Sequence, residues 1–406
     1  MADKGRRLKI LVIAYSCEPH RGSEPGVGWM WSRTLAGFAD VWTLARGSQR
    51  SSIERVLPET PESEHMHFLF PEDGPVARRL RFGPEQWGRW HYLAWQRAAL
   101  KTARQAHEEV GFDLVWHFTF ATVWLGSVGA RIGPPFIYGP VGGGVGMPLR
   151  FVREMGSKGL LFEATRTAAR LAGRYLNPLT SMAWADARLI LANNADTRSW
   201  IPRKHRARTE VFPNSIIEEI PDTRRRKRAG PPTALFGGRL LAWKGVIFAV
   251  RAMKQLPEWR LIVCGEGPDR RRLEKVAVTL GVADRVDFRG WVPRSEVLSI
   301  MAEEADVFLF PSLHDDAPLA VIEAIASGLP VVCLDRGGPP LLSGPCGFVV
   351  PAGGSSQRLV SDVAAACSDA LKEGVDPEAA AAHVGEFTIE ARRRRAREYI
   401  DRVLSD

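Results

Sequence analysis

The chain has 406 residues, enough for two hydrophobic cores and too many for one ordinary domain. Its hydrophobic fraction of 45% is that of a globular protein, and its formal net charge of +9 at pH 7 suits phosphorylated ligands, an anionic membrane surface or nucleic acid. Nucleic acid ranks last, because no zinc-finger spacing, RNP-like aromatic strand or basic zipper accompanies the charge, and no apolar run reaches the length of a membrane-spanning helix.

The first predicted strand is Lys9–Tyr15. It is too short for a secretory leader, and Glu18 and Pro19 stand where a small-residue cleavage site would be. A glycine-rich loop follows, with Gly22, Gly26 and Gly28. It brings Ser23 and Glu24 to the strand's carboxyl end, or it is a turn that only packs. Further strands are expected at Asp40–Thr43, His67–Leu69, Leu114–His117, Phe136–Tyr138 and Leu189–Ala192, separated by amphipathic helices such as Leu93–Val110. Strands alternating with helices imply a parallel sheet.

Residues 78–98 mix Arg78, Arg79 and Arg81 with Trp87, Trp90, Tyr92 and Trp95. Basic residues beside interfacial aromatics suit peripheral membrane contact. A helix hairpin whose aromatics pack on the first domain is the preferred reading. His117 ends its strand, where a ligand contact and a core histidine bonded to backbone are both open. Residues 138–146, YGPVGGGVG, make a second glycine-rich loop containing Gly143, either closing on a ligand or without a role.

The charged stretch Pro221–Pro232 has no apolar periodicity and marks the boundary, giving domains 1–217 and 218–386 with 387–406 as a terminal segment. The run Arg224–Arg228 reads as an exposed linker, and Arg392–Arg395 as the solvated face of a terminal helix over Phe387–Leu404. The second half restarts at Ala234–Phe236, with strands at Arg260–Cys264, Val286–Phe288, Val307–Phe310 and Val331–Leu334. The five cysteines, Cys17, Cys264, Cys333, Cys346 and Cys367, are odd in number and show no CxxC spacing. That pattern predicts reduced thiols, a cytoplasmic setting and no metal centre.

Two segments of the second half carry chemistry. In LFGGRLLAWKG, residues 235–245, a strand runs into Gly237–Gly238, then Arg239 and, five residues on, Lys244. Glycines let backbone N–H groups approach an anion, Arg adds a bidentate fork and Lys a point charge, so the string suits a diphosphate. In FLFPSLHDDAPLAVIEAIASGLPVVCL, residues 308–334, Asp315 and Glu323 lie eight positions apart across a strand–loop–helix junction. Asp315 or Asp316 is expected to cap the helix, Pro318 to sit in its first turn, and Glu323 to lie about two turns in. The segments 264–274 (CGEGPDRRRLE) and 286–292 (VDFRGWV) add glycine turns at Gly265 and Gly290 without a full dinucleotide fingerprint.

Ser312, Pro318, Glu323, Ala324, Ala326, Gly328, Pro330, Val331 and Val332 match the paired-acid motif of retaining, nucleotide-sugar-dependent glycosyltransferases of family 4, the group 1 transferases, which this chain resembles. Gly238, Arg239, Leu240, Lys244 and Gly245 match that family's Gly-Arg-Leu-x-x-x-Lys-Gly motif. Asp315 stands for the motif's first Glu, with the same charge on a side chain one methylene shorter, and Asp316 stands for the following Gly. The resemblance covers most of the second half specifically and the first half only in fold order.

It implies the GT-B architecture: two Rossmann-like α/β domains facing across a cleft, with the terminal helix crossing back to the first. The first domain would bind the acceptor and the second the donor. Arg239 and Lys244 would neutralise the leaving diphosphate, Asp315 would hold sugar hydroxyls, Glu323 the ribose, and His117 would contact the donor sugar. Gly238, Gly265, Gly290, Val292, Pro318 and Leu319 would line the donor, and Gly22, Ser23, Glu24 and Gly143 the acceptor. The implied reaction is glycosyl transfer from a UDP- or GDP-type sugar with retention of configuration. Neither cofactor nor metal is needed. The acceptor would be a glycan, a lipid-linked glycan or a small metabolite, handled by a monomer or homodimer in the cytoplasm or at the membrane's inner face. A sugar-nucleotide 2-epimerase of the same fold and a two-lobed binding protein are the rival readings.

Overall fold

Among the described residues, thirteen strands, all parallel to their neighbours, build two sheets. The first contains β1 (Leu8–Ala14), β2 (Ala39–Leu44), β3 (Met66–Leu69), β4 (Leu114–Thr119), β5 (Phe136–Val141), β6 (Leu189–Ala192) and β7 (Thr209–Val211), in the order β3-β2-β1-β4-β5-β6-β7. The second contains β8 (Thr233–Gly237), β9 (Arg260–Cys264), β10 (Val286–Gly290), β11 (Val307–Phe310), β12 (Val331–Leu334) and β13 (Gly347–Val350), in the order β10-β9-β8-β11-β12-β13. The protein is described by a computed structural model over residues 6–81, 88–218 and 230–405. Trp87, the run Arg224–Arg228 and most of the Pro221–Pro232 stretch therefore lie outside the described residues, as does the side chain of Ser23.

Both orders reverse direction beside the first strand, which is the Rossmann arrangement, and each has its topological switch point there: between β1 and β4, and between β8 and β11. Strands covered on both faces read as continuous apolar runs. Val331, Val332, Cys333 and Leu334 are all fully buried. The expected strands appear in place. The short edge strands β7 and β13 add to them, since strands of three and four residues leave little periodicity to read.

The chain divides into two units: Met1–Gly144, Ala168–Ile216 and Ile389–Asp406 form one, and Val145–Thr167 with Ile217–Thr388 the other. The segment Val145–Thr167, read with the first half, packs with the second. Met147, Phe151 and Met155 lie in the core of the second unit beside Phe236 and Phe248, because their apolar side chains find that surface rather than the first sheet. The terminal helix, Ile389–Ser405, buries Ala396, Tyr399, Ile400 and Val403 against Trp31 and Phe212 of the first unit.

Two expectations change, for Arg392 and for residues 138–141. Arg392 is buried, not solvated: its Nε donates to the Ser215 carbonyl at 3.2 Å and its guanidinium lies 4.5 Å from the Phe212 ring centre. Tyr92 and Trp95 of the basic aromatic segment are fully buried on the helix Gly88–Val110, in contact with Tyr15, so neither can reach a membrane; Trp90 is exposed. Residues 138–141 are not loop but the buried second half of β5. All five cysteines are free and buried, which pushes the Cys17, Cys333 and Cys367 thiols above their ordinary range and leaves them inert.

Candidate functional site

Four loops leave the carboxyl ends of β8, β9, β11 and β12 and are stitched together through backbone. Leu240 N–H donates to the Glu266 carbonyl, Leu313 N–H to the Trp243 carbonyl, and Gly338 N–H to the Asp315 carbonyl, each at 2.8 Å. Two glycines make this possible. A Cβ on Gly265 would stand 1.9 Å from the Gly238 carbonyl oxygen, at a φ of +155°, and one on Gly245 would stand 2.0 Å from the Pro311 oxygen, at a φ of +69°. Any side chain at either position would part the loops and strain the backbone. The carbonyl of Gly290 accepts from Gly265 N–H at 2.6 Å, which seats the Gly290–Val292 turn beside the same edge.

The motif residues meet on this frame. Lys244 Nζ lies 2.8 Å from both carboxylate oxygens of Asp315, and the two side chains are equally half-buried. The same ammonium is 5.0 Å from the Phe310 ring centre. Arg239 is exposed at the turn after β8, one residue from Gly238. The helix after β11 begins at Leu319, with Pro318 at its N-cap and no side-chain cap. Asp315 and Asp316 therefore do not cap it, and Glu323 is only its fifth residue. The carboxylate of Asp315 is taken by Lys244 instead, a stronger partner than a backbone N–H. Glu323 is buried, and its Oε1 accepts from Arg294 Nε at 2.6 Å, while Arg294 remains mostly exposed.

Sequence reasoning missed the support beneath this pair. Phe162 stacks on Trp243 at 4.5 Å and 11°, and Trp243 on His314 at 5.2 Å and 14°. Trp243 and His314 immediately precede Lys244 and Asp315, so one aromatic stack sets both backbones. Glu163 closes the stack: His314 Nε2 is 3.5 Å from its carboxylate, and Arg166 forks onto both oxygens at 2.9 and 3.0 Å. Burial lowers His314 below the ordinary histidine range, so it is neutral at pH 7. Burial also opposes ionisation of Glu163, yet its His314 and Arg166 partners outweigh that and hold it down at about 2. At the observed distances the Arg166 fork carries that effect. Arg336 in turn donates to the Gly146 carbonyl at 2.8 Å. The Gly337–Gly338 pair after β12, at a strand's carboxyl end, was the one readable signal for that loop.

The first unit's counterpart edge is different. His117 is fully buried; its Nε2 bonds the Thr119 carbonyl at 2.9 Å, with Tyr92 Oη 3.4 Å away. Burial lowers its pKa to about 4. The expected contact with a donor sugar is thus replaced by a core histidine, because the Tyr92, Phe120 and Tyr138 rings close over the strand end. Glu24 accepts from Phe120 N–H at 2.5 Å, half-buried on the helix Ser23–Ala36 that Gly22 caps. Gly143 packs toward the Trp124 indole, 3.1 Å from where a Cβ would stand. Among the described residues, no cluster of three or more His, Cys, Asp or Glu side chains could hold a metal ion.

Residues 219–383 match the model of the family described as glycosyl transferases group 1. The 2-deoxystreptamine glucosyltransferase of Streptomyces kanamyceticus is 32% identical over 148 residues, covering 33% of this chain and 38% of that protein. The lipopolysaccharide core biosynthesis glycosyltransferase LpsE of Rhizobium meliloti is 30% identical over 167 residues, covering 40% and 48%. The chain thus spans less than half the length of these curated relatives. Across 98% of this chain and 100% of the other, the fold matches sucrose-phosphate synthase from Thermosynechococcus elongatus, with a TM-score of 0.65 at 19% identity. Anabaena HepE in complex with UDP matches over 97% and 99%, with a TM-score of 0.63 at 17% identity. The second unit, with its Gly-Arg…Lys-Gly turn and acid pair at the switch point, thus carries the region that matches the glycosyl transferases group 1 model, on a chain whose two parallel-sheet α/β Rossmann-like domains have the GT-B fold.

Proposed function

We propose that the protein transfers a glycosyl unit from a UDP- or GDP-type sugar to an acceptor hydroxyl in glycan or glycoconjugate biosynthesis, with retention of configuration. The observation that carries this reading is the Lys244–Asp315 pair at the switch point of the second sheet, the crevice where open α/β sheets bind ligands. An ammonium has three donors. Lys244 can therefore keep Asp315 and give a remaining proton to a phosphate oxygen. Arg239, exposed one turn earlier, adds a fork for the second phosphate. As the anomeric C–O bond breaks, its electron pair goes to the diphosphate. Fixed cations in a partly buried site favour that charge more in the transition state than in the bound donor.

Asp315, anchored by Lys244, presents its carboxylate toward sugar hydroxyls. Glu323 serves the ribose diol, with Arg294 sharing the carboxylate. Pro318, Leu319, Gly265, Gly290 and Val292 shape the nucleotide's side of the edge. The Gly22–Glu24 loop and Gly143 serve the acceptor.

Calorimetry with UDP and GDP tests the reading. Lys244→Ala and Arg239→Ala should each weaken the preferred nucleotide by roughly 1.5–3 kcal/mol, the worth of one charge-assisted contact. Unchanged affinity in both variants would overturn the assignment. A 2-epimerase of the same fold would need catalytic acids in the first domain, and incubation with UDP-N-acetylglucosamine without acceptor, monitored by NMR, would expose that chemistry as a C2 epimer.

A further inference from the structure

Two paths of contacts start at one buried carboxylate and end on the Lys244–Asp315 pair. Glu163 is 7% exposed. Arg166 forks onto both of its oxygens at 2.9 and 3.0 Å, and His314 Nε2 faces one of them at 3.5 Å. The first path runs through His314, which stacks on Trp243. The Trp243 carbonyl accepts from Leu313 N–H at 2.8 Å and from Ser312 Oγ at 3.3 Å. Lys244 follows Trp243 in the chain and Asp315 follows His314, so this path fixes the backbone on both sides of the pair. The second path runs through Arg166, which also donates to the Val145 carbonyl at 2.8 Å. The next carbonyl, that of Gly146, accepts from Arg336 at 2.8 Å. Arg336 leads into Gly337 and Gly338. Gly338 N–H donates to the Asp315 carbonyl at 2.8 Å, and a Cβ on Gly337 would stand 2.1 Å from that oxygen and 3.3 Å from Val145 Cγ2. Every residue on both paths lies in the second unit.

We propose that Glu163 is a positioning residue for the candidate diphosphate site, a role that rests on the donor-site reading. It holds His314 and Arg166, and they set the loops that aim Lys244 and Asp315. Stability alone is a poor reason for a charge pair at this depth, because desolvating both ions offsets most of their attraction. Geometry is a better one. The guanidinium fork is planar and bidentate, so it fixes the direction of the Glu163 carboxylate, and that carboxylate meets the edge of the His314 ring. Lys244 has to keep Asp315 and still present a proton to a phosphate oxygen, which leaves it little room to drift. A misplacement of about 1 Å, caused away from the reacting atoms, can cost as much as about a hundred-fold in rate.

Calorimetry of UDP and GDP on variants of the full chain tests the proposal. Glu163→Gln keeps the side chain's volume and removes the charge that holds the fork. It should weaken the preferred nucleotide about ten-fold in the parent and in the Arg239→Ala background, but less than about two-fold in the Lys244→Ala background, where the group it aims is gone. Glu163→Gln/Arg166→Met removes both charges and leaves no orphaned cation. It should unfold at a higher temperature than Glu163→Gln while the nucleotide stays equally weak. With Lys244→Ala itself weakened, three outcomes overturn the proposal: parent-like affinity in Glu163→Gln, equal losses in all three backgrounds, or affinity that recovers with stability in the double variant. If Lys244→Ala and Arg239→Ala both bind like the parent, the donor-site reading has failed, and a crystal structure of Glu163→Gln decides instead. Lys244 Nζ drawn out of hydrogen-bond reach of Asp315 supports the positioning role, and a pair kept at 2.8 Å overturns it.

Discussion

The two units build the same edge and use it differently. Each has a parallel sheet that reverses order beside its first strand, and each ends its central strands at that switch point. In the second unit the edge displays charge: Lys244, Asp315 and Arg294 are half-buried or exposed, on loops that glycines hold in close contact. In the first unit the corresponding strand ends are sealed. Tyr15 bonds His91, His91 reaches Asp73, and His117 turns to the Thr119 carbonyl beneath Tyr92 and Tyr138. A common topology therefore sets a crevice in each unit and leaves its chemistry to the residues that follow the strands. What distinguishes the two is whether small residues or aromatic rings follow the strand.

The largest effect expected from this contrast is on stability. His117 is neutral in the fold at a pKa of about 4, against about 6.5 for an unfolded chain. The unfolded state then binds the extra proton. The contribution of this group is complete above pH 6.5 and is lost as pH falls toward 4, by about 3 kcal/mol. His117→Gln keeps a donor for Thr119 and cannot titrate. Urea unfolding at pH 7.5 and 4.5 should show a smaller pH difference in the variant by about that amount. Equal differences in the two proteins would mean that the first unit's edge is open, and the contrast would break.

A smaller effect concerns the glycines that open the second edge. Gly265→Ala should destabilise the protein by roughly 1–3 kcal/mol through backbone strain, and should also weaken nucleotide binding by moving the loop after β8. Gly281→Ala, at a φ of +69° with nothing within 4 Å of the new Cβ, should cost stability alone, about 1–2 kcal/mol. Thermal unfolding and calorimetry on both variants decide. If Gly281→Ala weakens nucleotide binding as much, close loop packing is not what shapes the site.

The smallest effect separates the two acids. Glu323→Gln should weaken the nucleoside diphosphate by about 1 kcal/mol, since it loses a charge-assisted partner. Asp315→Asn should leave that binding close to the parent value while lowering turnover of the intact sugar nucleotide. A fully active Asp315→Asn would show that the shorter acid has no part in holding the sugar.

Much of this molecule was legible in its residues. Apolar runs bounded by glycine and proline marked eleven of the strands, since a strand covered on both faces must be apolar throughout. The strings around Arg239 and Lys244, and around Asp315 and Glu323, were readable because an anion site needs small residues and charge close together in the chain. Tertiary structure decided the rest. Whether His117 faces a ligand or the core depended on rings contributed by residues 92, 120 and 138, which no local pattern connects to it. That Val145–Thr167 belongs with the second unit depended on where Phe151 and Met155 find apolar partners. The stack of Phe162, Trp243 and His314, closed by Glu163, joins three distant segments behind the Lys244–Asp315 pair. Local spacing determines periodicity, turn chemistry and the charges a segment carries. Burial and partnership are set by side chains from elsewhere in the chain, and only the folded packing brings those together.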